Sequence, residues 1–157
     1  MAWRNDSSRV ATVSKDGTWR LYKIVDHHLG QEAKLITSGK INALPSSKIA
    51  LSPDGKVLAI SRDKSIFLYR LEPTPKLIKE LEHVHTSTIT GLLFDAEARW
   101  LMSSGDKHIR VFHNVIGFQE TLVDLKETLA EAVTEGHKER LVQQIEELKT
   151  KLNNIGE

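Results

Sequence analysis

Three aspartates, Asp16, Asp63 and Asp106, recur with similar neighbours, and with the scattered serines and histidines they are the groups in this 157-residue chain that could do chemistry. A catalytic carboxylate has no reason to appear once per repeat. An Asp in a tight turn does, because it accepts backbone N–H bonds and orients a nearby His or Ser. Ser, His and Asp are the parts of a hydrolytic relay, yet no Gly-x-Ser-x-Gly elbow occurs to expose a nucleophile. His83-x-His85 would place two imidazoles on one side of a strand, a spacing compatible with a metal. A third ligand at a recognisable spacing is missing, and the chain has no cysteine. His27-His28 lies in a polar connector, and His108 and His113 read as surface and strand-exit residues. Gly-x-Gly-x-x-Gly and Walker-type lysine motifs are absent. The expectation is therefore no catalytic residue, no metal and no cofactor.

The elements around those aspartates form a repeat. Ser14-Lys15-Asp16-Gly17-Thr18-Trp19-Arg20-Leu21-Tyr22, Ser61-Arg62-Asp63-Lys64-Ser65-Ile66-Phe67-Leu68-Tyr69 and Ser104-Gly105-Asp106-Lys107-His108-Ile109-Arg110-Val111-Phe112 share one form. Ser precedes Asp by two, and Asp precedes a closing aromatic by six. Those aromatics, Tyr22, Tyr69 and Phe112, are 47 and 43 residues apart, close to the period of roughly 40–45 residues that marks blade-type repeats. Arg9, Lys56 and Arg99 each stand 13 residues before the closing aromatic, which predicts one register throughout the unit.

Composition is that of an ordinary soluble globular protein, with 39% hydrophobic and 27% charged residues. No apolar run approaches the roughly 18 residues that span a bilayer, so no direct membrane contact is expected from this segment. Lys plus Arg (22) nearly balances Asp plus Glu (21), which gives no general field for a polyanion. Without cysteine there is no disulfide and no thiolate chemistry, which fits a reducing compartment.

Along the chain, the first repeat reads as strand, turn, strand, turn, strand over residues 1–22. The second has strands at Lys48–Ser52, Val57–Ile60 and Ser65–Tyr69 around the Pro53-Asp54-Gly55 turn. The third has Ile89–Phe94, Trp100–Ser103 and His108–Phe112. Ala33–Thr37 and Leu77–Leu81 are expected as fourth strands. Apolar residues in Ser65–Tyr69 run on without alternation, as in a strand covered on both faces. After Phe112 the pattern becomes helical. Leu122, Leu125, Leu129 and Ala132 form one stripe, and Leu141, Ile145, Leu148, Leu152 and Ile155 another, out of phase across Thr134-Glu135-Gly136. This predicts helices over about 118–134 and 137–154, with Thr134 as N-cap of the second and Gly156 as its stop. The two form either a hairpin or one long broken helix.

With these residues in view, the chain resembles the WD-repeat family of β-propellers. A His opening the repeat, a hydroxyl residue in the second strand, an Asp in the next turn and an aromatic in the third strand are matched in the last repeat by His85, Ser103 or Ser104, Asp106 and Phe112. The chain departs from that family in having no Trp-Asp dipeptide, since the closing pairs are Tyr22-Lys23, Tyr69-Arg70 and Phe112-His113. The fold implied is mainly β with a C-terminal α segment. A partial WD-repeat propeller of about three blades (1–114; repeats about 1–37, 45–81 and 83–113) is followed by a helical segment (117–155). Asp16, Tyr22, Asp63, Tyr69, His85, Ser103, Asp106 and Phe112 are then structural repeat positions.

The order of motifs, ending in Arg110-Val111-Phe112-His113-Asn114 and a helix carrying Gln143-Gln144, is similar to the C-terminal part of one branch of that family. The resemblance implies a non-catalytic protein-interaction scaffold on the cytosolic side of the endoplasmic reticulum. Its implied partners are other proteins, among them a stress kinase of the unfolded-protein response and the translation machinery. The repeat already running at residue 1 gives the expectation of a truncated product, with neighbouring blades and a membrane anchor lying outside it. Two alternatives stand beside the scaffold. One is an RNA- or ribosome-associated module using a basic face of Arg20, Lys23, Arg62, Lys64, Arg70, Lys107 and Arg110. The other is an oligomeriser acting through a coiled coil on the Leu141, Ile145, Leu148 and Leu152 stripe.

Overall fold

Turn chemistry sets the reversals of the chain. Asp106 and Lys107 have φ of 45° and 63°, the left-handed pair required by a two-residue primed hairpin, and Asp63 has φ 51° in the matching place. In the first repeat three residues, Lys15–Gly17, lie between the paired Ser14 and Thr18, and the reversal closes on Gly17 at φ 79°. The computed structural model describes residues 1–42 and 44–155 and divides into two units, Met1–Phe112 and His113–Glu157.

The first unit is three antiparallel sheets in sequence order. One joins β1 (Ala2–Trp3), β2 (Arg9–Val13), β3 (Thr18–His27) and β4 (Gly30–Lys40). The next joins β5 (Ile49–Leu51), β6 (Val57–Arg62), β7 (Ser65–Arg70) and β8 (Lys76–Leu81). The third has only β9 (Gly91–Phe94), β10 (Trp100–Gly105) and β11 (His108–His113). These are blades, each a meander whose first strand lies beside that of its neighbour, with β5 in contact with both β1 and β9. Both expected fourth strands are present. β4 is twice the expected length because β3 runs on to His27 and pairs with it beyond the end of β2.

The second blade carries the packing. Val57, Leu58, Ala59 and Ile60 are consecutive and all fully buried, so both faces of β6 are covered. Leu58, Ile60, Phe67 and Tyr69 pack toward the first blade against Trp19 and Leu21. The rings of Trp19 and Tyr69 meet at 5.4 Å and 57° across this interface, a tilted arrangement favoured by the ring quadrupoles. Ala59, Ile66 and Leu68 pack the other way, against Leu101, Phe94 and Phe112 of the third blade. The unbroken apolar run of Ser65–Tyr69 is thus explained, alternate residues serving opposite interfaces.

Register departs from the expectation in the first blade. Val57 lies opposite Arg70 in the second blade, whereas Arg9 lies opposite Lys23 in the first. Arg9 therefore matches Val57 rather than Lys56. The longer Ser14–Gly17 reversal adds the residue that shifts β2 by one.

The second unit is two helices, α1 (Val115–Glu131) and α2 (Glu135–Ile155), packed on each other. Only residues 132–134 join them, so the chain doubles back as a hairpin. The start of α1 is three residues earlier than the stripe predicted. Asn114 caps it, its side-chain oxygen accepting the Gly117 N–H at 3.1 Å, and a Cβ on Gly117 would overlap the Asn114 amide. The Thr134 carbonyl accepts the amides of His137 and Lys138 at 3.2 and 3.1 Å, as an N-cap carbonyl does. Gly156, expected to stop α2, lies outside the described residues.

Candidate functional site: a buried relay and an uncovered blade face

The connection from β8 to β9 carries His85 under the third blade, and the β10–β11 hairpin presents Asp106 to it. His85 Nδ1 lies 2.7 Å from Asp106 Oδ1, and its Nε2 lies 2.8 Å from Ser103 Oγ. A carboxylate can only accept, so Nδ1–H donates to Asp106, and with the ring neutral Nε2 accepts the Ser103 hydroxyl. Asp106 Oδ2 also accepts the Thr86 N–H at 2.7 Å and the Thr86 hydroxyl at 3.0 Å. The Thr86 amide, followed by the His85 imidazole, holds the Asp106 carboxyl well below the usual carboxylate range. Gly105 permits the approach, since a Cβ there would stand 3.0 Å from the His85 ring.

This is the bonding order of a hydrolytic Ser–His–Asp relay, but Ser103 and His85 are buried with no route for a substrate. The relay instead ties the hairpin of the third blade to the segment that enters it. The choice between the two serines falls on Ser103, because Ser104 turns to Thr90, with 3.2 Å between the hydroxyls. Phe112 packs in the apolar interface with the second blade and offers no N–H to extend the relay.

The other repeat aspartates hold turns by simpler bonds. Asp16 accepts the Thr18 N–H at 2.9 Å and pairs with Arg20 at 2.8 Å. The Thr18 hydroxyl and then Arg20 hold its carboxyl below the ordinary range. Asp63 accepts the Thr88 hydroxyl at 2.8 Å, linking the second blade to the entry of the third. Tyr69 is buried, and that burial raises its phenol pKa; Tyr22, its counterpart, is half-buried on the face of the first blade turned away from the second.

The expected pair His83-x-His85 does not form. Both residues lie beyond β8, His83 at φ 50° in a turn, and the His85 ring is already occupied on both nitrogens. Among the described residues no group of three or more His, Cys, Asp or Glu is placed to hold a metal ion. The expected basic face is also divided. Arg20 and Arg110 lie near the turn aspartates, Arg110 at 3.6 Å from Asp106. Lys23 and Arg70 lie at the opposite end of their strands from Arg62, Lys64 and Lys107. Along α2, Leu141 and Ile145 are buried, and Leu148 and Leu152 are half-buried.

A further feature emerges from comparing equivalent positions. Three residues before the closing aromatic stand Trp19, Ile66 and Ile109, with exposures of 1%, 0% and 72%. One residue before it stand Leu21, Leu68 and Val111, of which Leu21 is buried, Leu68 half-buried and Val111 54% exposed. In the first two blades these side chains meet the following blade. In the third blade they meet solvent, together with Leu93. The period-2 alternation of β11 contained this signal, once the repeat phase was fixed.

A family model described as "WD domain, G-beta repeat" matches residues 75–113. The chain is 36% identical over 161 residues to transducin beta-like protein 2 of Homo sapiens, covering 99% of this chain and 35% of that protein. It is 35% identical to the Mus musculus protein of the same name, over 36% of its length. The chain thus spans about a third of the length of the curated relatives it matches. Among solved structures, the β-propeller domain of Myceliophteria thermophila Cps50 (Swd1) superposes with a TM-score of 0.57 at 13% identity, covering 69% of this chain and 36% of that one. The C-terminal WD40 domain of Sif2 gives 0.52 at 20% identity, covering 74% and 33%. These structures share the fold with the chain.

Proposed function

We propose that this chain, a WD40-repeat β-propeller domain related to transducin beta-like protein 2, acts as a non-catalytic protein-interaction scaffold whose rigid element is the stack of three blades. The uncovered face of the third blade supports this reading most directly. Ile109, Val111 and Leu93 occupy positions that the repeat reserves for a blade-to-blade interface, and exposed apolar patches of this kind mark interaction surfaces. The buried relay supports it as well, since a triad without access is framework. The roles of Asp16, Tyr22, Asp63, Tyr69, His85, Ser103, Asp106 and Phe112 are then those of repeat architecture, the aspartates, His85 and Ser103 fixing turns and blade entries, Tyr69 and Phe112 filling interfaces, and Tyr22 standing at the equivalent position on the open face of the first blade. The resemblance to an endoplasmic-reticulum branch of the family extends the reading to stress signalling and translation control on the cytosolic face of that membrane.

Proximity labelling from the chain in cells under endoplasmic-reticulum stress tests the reading, with Ile109→Lys/Val111→Lys as comparator. A stress kinase or ribosomal proteins among the labelled neighbours, lost in the variant, would support it. The same neighbours from both chains, or none above background, would contradict it.

A further inference from the structure

Ion pairs are distributed unevenly between the two ends of the blades. At the end formed by the β1–β2 and β9–β10 turns, the arginines are matched by acids. Arg4 pairs with Asp6 at 3.5 Å, Arg9 with Glu72 at 2.8 Å, and Arg99 with Glu97 at 3.0 Å. The opposite end is formed by the Ser14–Gly17, Asp63–Lys64 and Asp106–Lys107 reversals. Here Lys15, Lys40, Lys48, Arg62, Lys64 and Lys107 have no ion-pair partner among the described residues. Register places Lys40 there, opposite Thr18 at the start of β3. Lys48 joins them through its amide bond to the Ser61 hydroxyl at 2.8 Å.

The turn aspartates offset only part of this charge: Asp16 pairs with Arg20 and Asp106 lies 3.6 Å from Arg110, while Asp63 accepts the Thr88 hydroxyl. Asp63, Glu80 and Glu82 are the acids at this end without an ion-pair partner among the described residues, against six cations. A chain of nearly balanced charge thus carries an excess of cations at this end.

We propose that this hairpin end is the binding surface for an acidic polypeptide segment, a proposal that rests on the scaffold reading and gives it a partner class. A cavity of about 290 Å³ lies there, lined by Arg62, Lys64, Ser65 and His83 and by the acids Asp63 and Glu80, over Phe67 and Leu44. The excess of cations across this end, with Phe67 and Leu44 in the cavity, suits alternating acidic and apolar side chains. A single-stranded nucleic acid would need aromatic faces on which bases stack. No Trp, Tyr or Phe at this end is exposed among the described residues, Trp19 and Phe67 both being buried.

Fluorescence anisotropy on the full chain tests the proposal, with a labelled dodecapeptide of alternating Glu and Leu as probe, and labelled twelve-nucleotide oligouridine as competitor class. Lys64→Glu/Lys107→Glu is compared with Lys23→Glu/Lys76→Glu, which reverses the same number of charges at the other end; circular dichroism checks that both keep their sheet content. The first pair should weaken peptide binding about tenfold and the second less than about twofold. Equal losses in the two pairs, no loss in either, or tighter binding of RNA than of peptide overturns the proposal. None of those outcomes touches the uncovered blade face, whose failure is read separately from the self-association of the chain.

Discussion

Ile66 and Ile109 are the same residue at the same place in consecutive repeats, so one substitution made at both isolates the effect of a covering blade. Ile66 is fully buried between β6 and the third blade, and Ile109 is 72% exposed. Truncating a core Ile to Ala costs about 2–5 kcal/mol, the lost transfer energy plus a cavity. At Ile109 roughly a quarter of the burial remains to be lost and no closed cavity forms, which leaves about 0.5–1 kcal/mol. The loss of strand propensity on going to Ala is common to both and cancels in the comparison. Ile66→Ala should therefore be the more destabilising by about 2–3 kcal/mol, or roughly 0.7–3 M in urea midpoint for an m-value of about 1–3 kcal/mol/M. Urea titration followed by Trp fluorescence, at low protein concentration so that association does not cover Ile109, measures the difference. Equal midpoints for the two variants would refute the assignment of these positions to a covered and an uncovered face.

Four further outcomes are expected. Asp106→Ala should lower the melting temperature by at least about 5 °C, with Asp106→Asn milder because one acceptor and the left-handed backbone preference survive; an unchanged melt would count against the relay as framework. The folded carboxyl of Asp106 titrates below its unfolded counterpart, so its contribution is present above about pH 4 and is lost as pH falls further. Wild type should accordingly lose stability more steeply than Asp106→Asn in acid melts. In the helical unit, Asn114→Ala should cost about 1 kcal/mol through loss of the cap, seen as reduced ellipticity at 222 nm, whereas Asn114→Asp should retain it. Ile145→Asp should lower helicity of the full chain, because Ile145 is buried; unchanged helicity with altered sedimentation would instead assign the stripe to an external coiled-coil partner.

The blades were legible because turn chemistry and periodicity are local. Asp-Lys and Asp-Gly reversals, strand-length apolar runs and the six-residue step from Asp to aromatic marked all eleven strands in kind, and the helical stripes marked α1 and α2. Register in the first blade was not legible, because a three-residue reversal replaces a two-residue one and shifts β2 by one without changing the residue types around Arg9. His83-x-His85 misled because period-2 reasoning applies only inside a strand, and the chain leaves β8 at Leu81. Ser103 could not be separated from Ser104 until the pleat of β10 was known. The start of α1 was hidden by Val115-Ile116-Gly117, residues of low helix preference held in place by the Asn114 cap. The uncovered face lay in plain sequence, but only the burial of Trp19 and Ile66 shows what Ile109 lacks.

Sedimentation velocity of the wild-type chain beside Ile109→Lys/Val111→Lys, across a hundredfold range of concentration, tests the central claim most directly. An interior-type blade face open to water predicts association of the wild type that grows with concentration, and a variant that stays monomeric with its circular dichroism spectrum intact. A wild-type chain that remains monomeric throughout and melts in one sharp transition would contradict it.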